Sequence, residues 1–158
     1  MGSERIGIDE YFLKLATVVA ERSTCCRHHV GAVAVRGKHV LATGYNGAPS
    51  GFDDCLKLGC LRDKLGLSTG VQRELCRAVH AEENVVVQAA LHRTSLRGST
   101  VYCTHTSCVT CARLLVNCGV ERFVSCGVYN TDCEAVFEAG KIELDVLGWP
   151  SSVIKTLE

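Results

Sequence analysis

The stretch Gly98–Cys126, GSTVYCTHTSCVTCARLLVNCGVERFVSC, decides how this chain folds. Gly98 to Cys103 is rich in β-formers and reads as a strand. Cys108 opens a helical run in which Ala112, Leu115 and Val116 fall on one face. Gly119 is placed to end that helix as a C-cap. Glu121 to Cys126 returns to strand character. A strand–helix–strand unit of this length is a crossover, so its two strands lie parallel.

The pattern extends outward in both directions. Downstream, Asp132 to Ala139 reads as a helix ended by Gly140, and Ile142 to Leu147 as a fifth strand. Leu147-Gly148-Trp149-Pro150 breaks it, and the tail beyond is expected to pack or fray. Upstream, Ala78 to His92 is a helix with Val85, Val86, Ala89 and Ala90 along one face. Val30 to Val35 and His39 to Gly44 form a hairpin around Gly37-Lys38. Asp9 to Glu21 is an amphipathic helix carrying Phe12, Leu15, Ala16 and Val19 inward, with Asp9 as N-cap. The expectation is an α/β fold with one five-stranded mixed sheet between helices, in a single domain over 1–158. Only the segment at about 52–77 lacks a clear period. It contains Cys55, Cys60 and Cys76, and Asp63 to Leu65 suggests a short helical turn. A long connection of this kind is functional, disordered or stapled, and the cysteines favour a staple.

Composition narrows the function. With 158 residues, 47% of them hydrophobic, the chain can bury a real core. Lysine plus arginine balances aspartate plus glutamate, 17 against 17. A neutral chain is a poor electrostatic funnel for long nucleic acid, though one or two arginines suffice for a small anionic ligand. No apolar run is long enough to span a membrane, and Met1 to Arg5 carries no apolar signal core, so a cytoplasmic location is expected. There are 11 cysteines, an odd number that cannot pair completely within one chain. Without an export signal, metal ligation is favoured over a disulfide framework.

The chemistry concentrates in His80-Ala81-Glu82 and Cys108-Val109-Thr110-Cys111. Catalytic zinc takes three protein ligands and leaves its fourth position to water. His80, Cys108 and Cys111 supply three, and a helix start favours thiolates at both cysteines. Such a metal lowers the pKa of its water enough to give hydroxide near neutral pH. Glu82 is then the proton carrier. A histidine–x–glutamate followed by a cysteine pair is the pattern of zinc nucleobase deaminases, except that Ser107 stands where that pattern has proline. The competing reading is a structural zinc closed by Cys103 or His105. A second four-thiolate site could form from Cys25, Cys55, Cys60 and Cys76, with Cys26 an alternative to Cys25, or these could be ordinary buried thiols. Cys103, Cys118, Cys126 and Cys133 read as small hydrophobes.

These residues, with Arg22-Ser23-Thr24-Cys25, Gly44-Tyr45-Asn46-Gly47-Ala48-Pro49-Ser50-Gly51 and Glu74-Leu75-Cys76-Arg77, resemble the deoxycytidylate (dCMP) deaminase family. That family includes the bacterial ComE operon protein 2-like members. The resemblance covers about Ile8 to Leu147. It implies the three-layer α-β-α cytidine deaminase-like fold and conversion of dCMP to dUMP and ammonia. It implies zinc on His80, Cys108 and Cys111, with Glu82 as proton shuttle. It also implies sugar contact by Asn46, a base-packing aromatic at Tyr129, and phosphate contact from Arg27 and its neighbour Ser23, with Ala81 lining the substrate site. Family members are commonly homohexamers, and many respond to dCTP and dTTP. The loop at Tyr45, Asn46 and Gly47 would serve such an effector, with Mg²⁺ on its triphosphate.

Arg27 as a solvated arginine, Tyr129 as a core or interface aromatic and Asn46 as a turn residue are the competing readings. Ser107 and His28-His29 depart from the family pattern. The latter puts effector contacts and exact substrate in question more than reaction class. A cytidine or deoxycytidine deaminase would keep zinc and Glu82 without needing a phosphate clamp. A tRNA adenosine deaminase would call for a basic surface. A riboflavin-pathway deaminase fits the Tyr45-Asn46-Gly47 block poorly. A non-catalytic zinc scaffold leaves Glu82 unexplained.

Overall fold

The computed structural model describes residues 5–129 and 132–150; the tail beyond Pro150 lies outside them. Five strands form one sheet in the order β2-β1-β3-β4-β5. β1 (Gly31–Arg36) runs antiparallel to β2 (His39–Tyr45) and to β3 (Thr100–His105). β3, β4 (Arg122–Gly127) and β5 (Glu143–Val146) run parallel, as the crossover requires.

Alternation along the strands sorts side chains into two cores. Val33 and Val35 of β1 join Tyr102 and Val124 on the face covered by α1 (Ile8–Ala20), which contributes Phe12, Leu13 and Ala16. Ala32 and Ala34 face the other side. There they pack with Ala81, Val85 and Ala89 of α4 (Ala81–Leu91), Ala112 and Leu115 of α5 (Val109–Asn117), and Phe137 of α6 (Cys133–Gly140). This is the expected α-β-α sandwich. Phe12, Phe123 and Phe137 are fully enclosed. Each such side chain contributes roughly 1.5–3 kcal/mol by leaving water. The small residues of β1 and β2 let α4 approach closely. A Cβ on Gly44 would stand 2.3 Å from the Ala81 carbonyl oxygen, so only glycine admits this contact.

Three local expectations need correction. Asp9 does not cap α1; Gly7 occupies that position without a side-chain bond. The Asp9 carboxylate instead accepts from the Tyr102 hydroxyl at 2.7 Å and from Arg122 at 2.8 and 3.0 Å. Arg122 also reaches Asp145 at 2.8 Å, so one guanidinium ties α1, β4 and β5 together. The second correction concerns α4, which begins at Ala81 rather than Ala78. Val79 pairs with Gly47 through bonds of 2.8 and 3.2 Å, which holds the preceding segment extended. His80, which a start at Ala78 would place inside the first turn, therefore caps the helix. Third, the left-handed residue that ends α6 is Lys141, not Gly140, which is the last helical residue.

The insert contains two short helices, α2 (Cys55–Leu58) and α3 (Leu61–Lys64), and a 3₁₀ turn at Arg73–Leu75. Among the described residues, no helix is long and apolar enough to cross a membrane.

Candidate active site

Two helix starts meet below the carboxyl ends of the central strands. His80 precedes α4 and Cys108 precedes α5, both in extended backbone. The Glu83 carboxylate accepts the His80 backbone N–H at 2.8 Å and fixes the turn. The backbone N–H of Cys111 donates to Cys108 Sγ at 3.4 Å, the contact expected of sulfur at a helix N-terminus. His80 Nδ1 lies 3.5 Å from Cys108 Sγ and 3.4 Å from Cys111 Sγ. All three donor atoms lie within 4.8 Å of one another, and among the described residues no other such group of three occurs. Neither Cys103 nor His105 joins it. The donor set, two sulfurs and one imidazole converging with a fourth direction left open, fits zinc of the catalytic kind.

The electrostatics are those of a proton-loaded metal site. Hydrogen bonding from Cys111, together with His80, pulls the Cys108 thiol down to about 3. The bond to Cys108 raises the His80 imidazole to about 9. Cys111 is pushed up by that same sulfur neighbour and by burial. Without metal these shifts favour one shared thiolate beside a protonated imidazole. Zinc would take the place of two protons.

Glu82 lies on the first turn of α4 and is 4% exposed. Burial pushes its carboxyl above the ordinary range, opposed by its own backbone amide, by His80 and by a hydrogen bond from Ser107. Ser107 is fully buried. Serine therefore supplies at this position a hydroxyl that proline could not. A buried glutamate whose carboxyl is raised above its ordinary range is suited to carrying protons in both directions.

The cleft above these residues is also lined by Arg27, His28, Asn46, Ala81, Thr106 and Tyr129. Asn46 is locked in place. Its Oδ1 accepts from Ser23 Oγ at 2.6 Å and Val30 N at 2.9 Å, and its Nδ2 donates to the His28 carbonyl at 2.8 Å. One amide hydrogen remains for a ligand, so Asn46 both builds the wall and keeps a donor. Ser23 is buried behind it, outside the cleft lining, with its hydroxyl committed to Asn46. Tyr129 is anchored by its N–H to Thr106 Oγ1 at 2.8 Å, and the Arg73 guanidinium lies 5.4 Å from its ring centre. Tyr45 and Gly47 also fall outside the lining. A Cβ on Gly47 would stand 2.6 Å from Thr24 Oγ1, which explains glycine there.

Cys25, Cys55, Cys60 and Cys76 all line the same cleft, but their sulfurs do not close into a group like the His80 trio. Cys25 Sγ accepts the Arg27 N–H at 3.4 Å. Cys26 is exposed, with its sulfur 3.1 Å from the Cys55 carbonyl oxygen. Cys103, Cys126 and Cys133 are buried in the cores, and Cys118 is half-buried. Sequence reading missed Thr106 and Arg62 as lining residues. Thr106 stands two residues before Cys108, and its place in that motif was the available signal. Arg62 sits in the unpatterned insert with no motif around it.

The family model described as "Cytidine and deoxycytidylate deaminase zinc-binding region" matches residues 7–127. The deoxycytidylate deaminase of Schizosaccharomyces pombe is 36% identical over 138 residues, 86% of this chain and 42% of that protein. The chain thus spans less than half the length of that relative. The deoxycytidylate deaminase of Mycobacterium phage D29 is 43% identical over 121 residues, 73% of this chain and 91% of that protein. The crystal structure of dCMP deaminase from cyanophage S-TIM5 in complex with dCMP and dUMP superposes with a TM-score of 0.77. It is 31% identical, and the match covers 91% of this chain and 99% of that one.

Proposed function

Because the chain belongs to the cytidine and deoxycytidylate deaminase family, we propose that it hydrolyses dCMP to dUMP and ammonia. The observation that carries this is the open trio of His80, Cys108 and Cys111 with buried Glu82 beside it. Zinc held there supplies a Lewis acid that makes hydroxide available near neutral pH. The residues of the chain do the rest. Glu82 takes a proton from the water and delivers it to the ring nitrogen next to C4. After the water oxygen has bonded to C4, Glu82 moves the remaining hydroxyl proton from that oxygen to the exocyclic amine, leaving the oxygen to become the C4 carbonyl. The C4–N bond then breaks, and the nitrogen leaves as ammonia. Asn46 holds the sugar through its spare amide hydrogen, and Ala81 and Tyr129 bound the base. Arg27 contacts the phosphate.

A second, structural zinc on Cys25, Cys55, Cys60 and Cys76 is part of the same proposal. Its support is the burial of Cys25, Cys55 and Cys60 on one cleft wall. Self-assembly, as far as a homohexamer, is proposed with the family. So is an effect of dCTP or dTTP with Mg²⁺ through the Tyr45–Gly47 loop. Ammonia release by zinc-loaded protein across dCMP, CMP, deoxycytidine and 5-methyl-dCMP, with and without dCTP and Mg²⁺, tests the reading. Preference for dCMP is expected. Equal turnover of deoxycytidine contradicts the nucleotide assignment, and release from none contradicts the activity.

A further inference from the structure

The cleft wall holds a second guanidinium. Arg62, from α3 in the insert, lines the cleft and is 6% exposed, yet it faces no carboxylate among the described residues. Arginine is almost never so buried without a partner. Its Nη2 donates to the carbonyls of Ser68 at 2.5 Å and Val71 at 2.8 Å, while its Nε–H is buried with no acceptor. Arg27 repeats the arrangement. Its Nε bonds Asp63 at 2.6 Å and its Nη2 bonds the Leu67 carbonyl at 2.6 Å, and its Nη1 is buried with no acceptor.

The two arginines thus grip consecutive carbonyls, Leu67 and Ser68, of one insert loop. Each leaves a buried N–H unsatisfied, and both residues line the same cleft. A buried donor without an acceptor is costly, and a cationic one more so. An anion in that cleft would compensate both cationic groups, and phosphate matches the guanidinium edge. Asp63 already balances Arg27, so the uncompensated charge is that of Arg62.

We propose that Arg62 is a specificity-determining residue that receives the 5′-phosphate of the substrate together with Arg27, so that the insert selects nucleotide over nucleoside. This rests on the dCMP reading, but its anion site can be probed without that reading. The rival role for Arg62 is to balance thiolates of Cys25, Cys55 and Cys60 on the same wall.

The test compares the zinc-loaded full chain with Arg62→Gln and Arg62→Lys. Three quantities are read: the ratio of kcat/KM for dCMP over deoxycytidine, bound zinc per chain, and the rise in Tm caused by inorganic phosphate. In Arg62→Gln the ratio is expected to fall roughly 10- to 100-fold, the worth of one hydrogen bond to a charged group. Phosphate protection is lost and zinc content is unchanged. Arg62→Lys keeps the charge and loses the fork, so it falls between; it also carries the comparison if Arg62→Gln does not fold. An unchanged ratio with unchanged phosphate protection overturns the proposal, as does loss of zinc with an unchanged ratio. Should the wild type show no preference for dCMP, the substrate reading falls. The phosphate arm then decides Arg62 by itself.

Discussion

Replacing Glu82 with glutamine separates the proposed proton-carrier role of this carboxylate from the cost of its burial. Glutamine keeps the volume and can still accept from Ser107, but it cannot carry a proton. Proton transfer by a positioned side chain contributes about 10²–10⁴-fold, and the proposed reaction uses Glu82 at two transfers. Turnover should therefore fall by at least about 10⁴-fold. Zinc content should not change, because the glutamate is no ligand of the trio. Stability should move the other way. Burial raises the Glu82 carboxyl in the folded state above its ordinary value of 4.5. A carboxyl shifted upward costs stability when pH exceeds its unfolded value and costs nothing below it. Metal-free Glu82→Gln should consequently melt higher than metal-free wild type at pH 7 to 8, with the difference vanishing near pH 4. Each kcal/mol relieved raises Tm by about 2–4 °C. Ammonia release from dCMP, metal analysis and thermal melts at the two pH values make the assay. Turnover within tenfold of wild type, with zinc in place, would refute the assignment of the proton carrier. A lower Tm at pH 7 would refute the account of its burial.

The remaining predictions use other parts of the molecule. At pH 7, zinc binding should release about two protons, one from His80 and one from the cysteine pair, which shares a single thiolate in the absence of metal. Competition with a chelator between pH 6 and 8 should then show affinity rising by about two decades per pH unit, and a flat profile contradicts the charge states. Asp9→Asn should cost about 2 kcal/mol at pH 7 by weakening the bonds to Arg122 and Tyr102. Arg122 lowers the Asp9 carboxyl below 3.8, so this loss should be full at pH 6 and disappear as pH falls through the folded value; chemical denaturation over a pH series from 6 downward measures it. Gly44→Ala should push α4 off β2, because its methyl would also stand 2.6 Å from the Val85 nitrogen. A loss of about 1–3 kcal/mol with weaker zinc affinity is expected, whereas wild-type values for both would show that the contact relaxes freely.

The residues most legible in the sequence were those whose partners are near or whose spacing is chemical. Cys108 and Cys111 share a helix start, so three residues of separation already bring both sulfurs to one side. The crossover through α5 fixed two parallel strands by length and handedness alone. Asp9 shows what local reading misses. An aspartate before an amphipathic run resembles an N-cap, but its partners Tyr102 and Arg122 are far along the chain and meet it only across the folded sheet. The early start assigned to α4 failed for a similar reason. Ala78 and Val79 suit a helix, but pairing of Val79 with Gly47 overrides that preference. Arg62 had no period, motif or neighbour to mark it, and only its burial against the cleft gives it meaning.

The central claim is that one zinc on His80, Cys108 and Cys111 makes this chain a dCMP deaminase. The most direct test is dUMP formation from dCMP by protein stripped of metal and then titrated with zinc, alongside Cys111→Ser treated identically. The account predicts no dUMP from the stripped protein, restoration as the trio fills, and no restoration in Cys111→Ser. Full turnover by the stripped protein, or by zinc-treated Cys111→Ser, would contradict it.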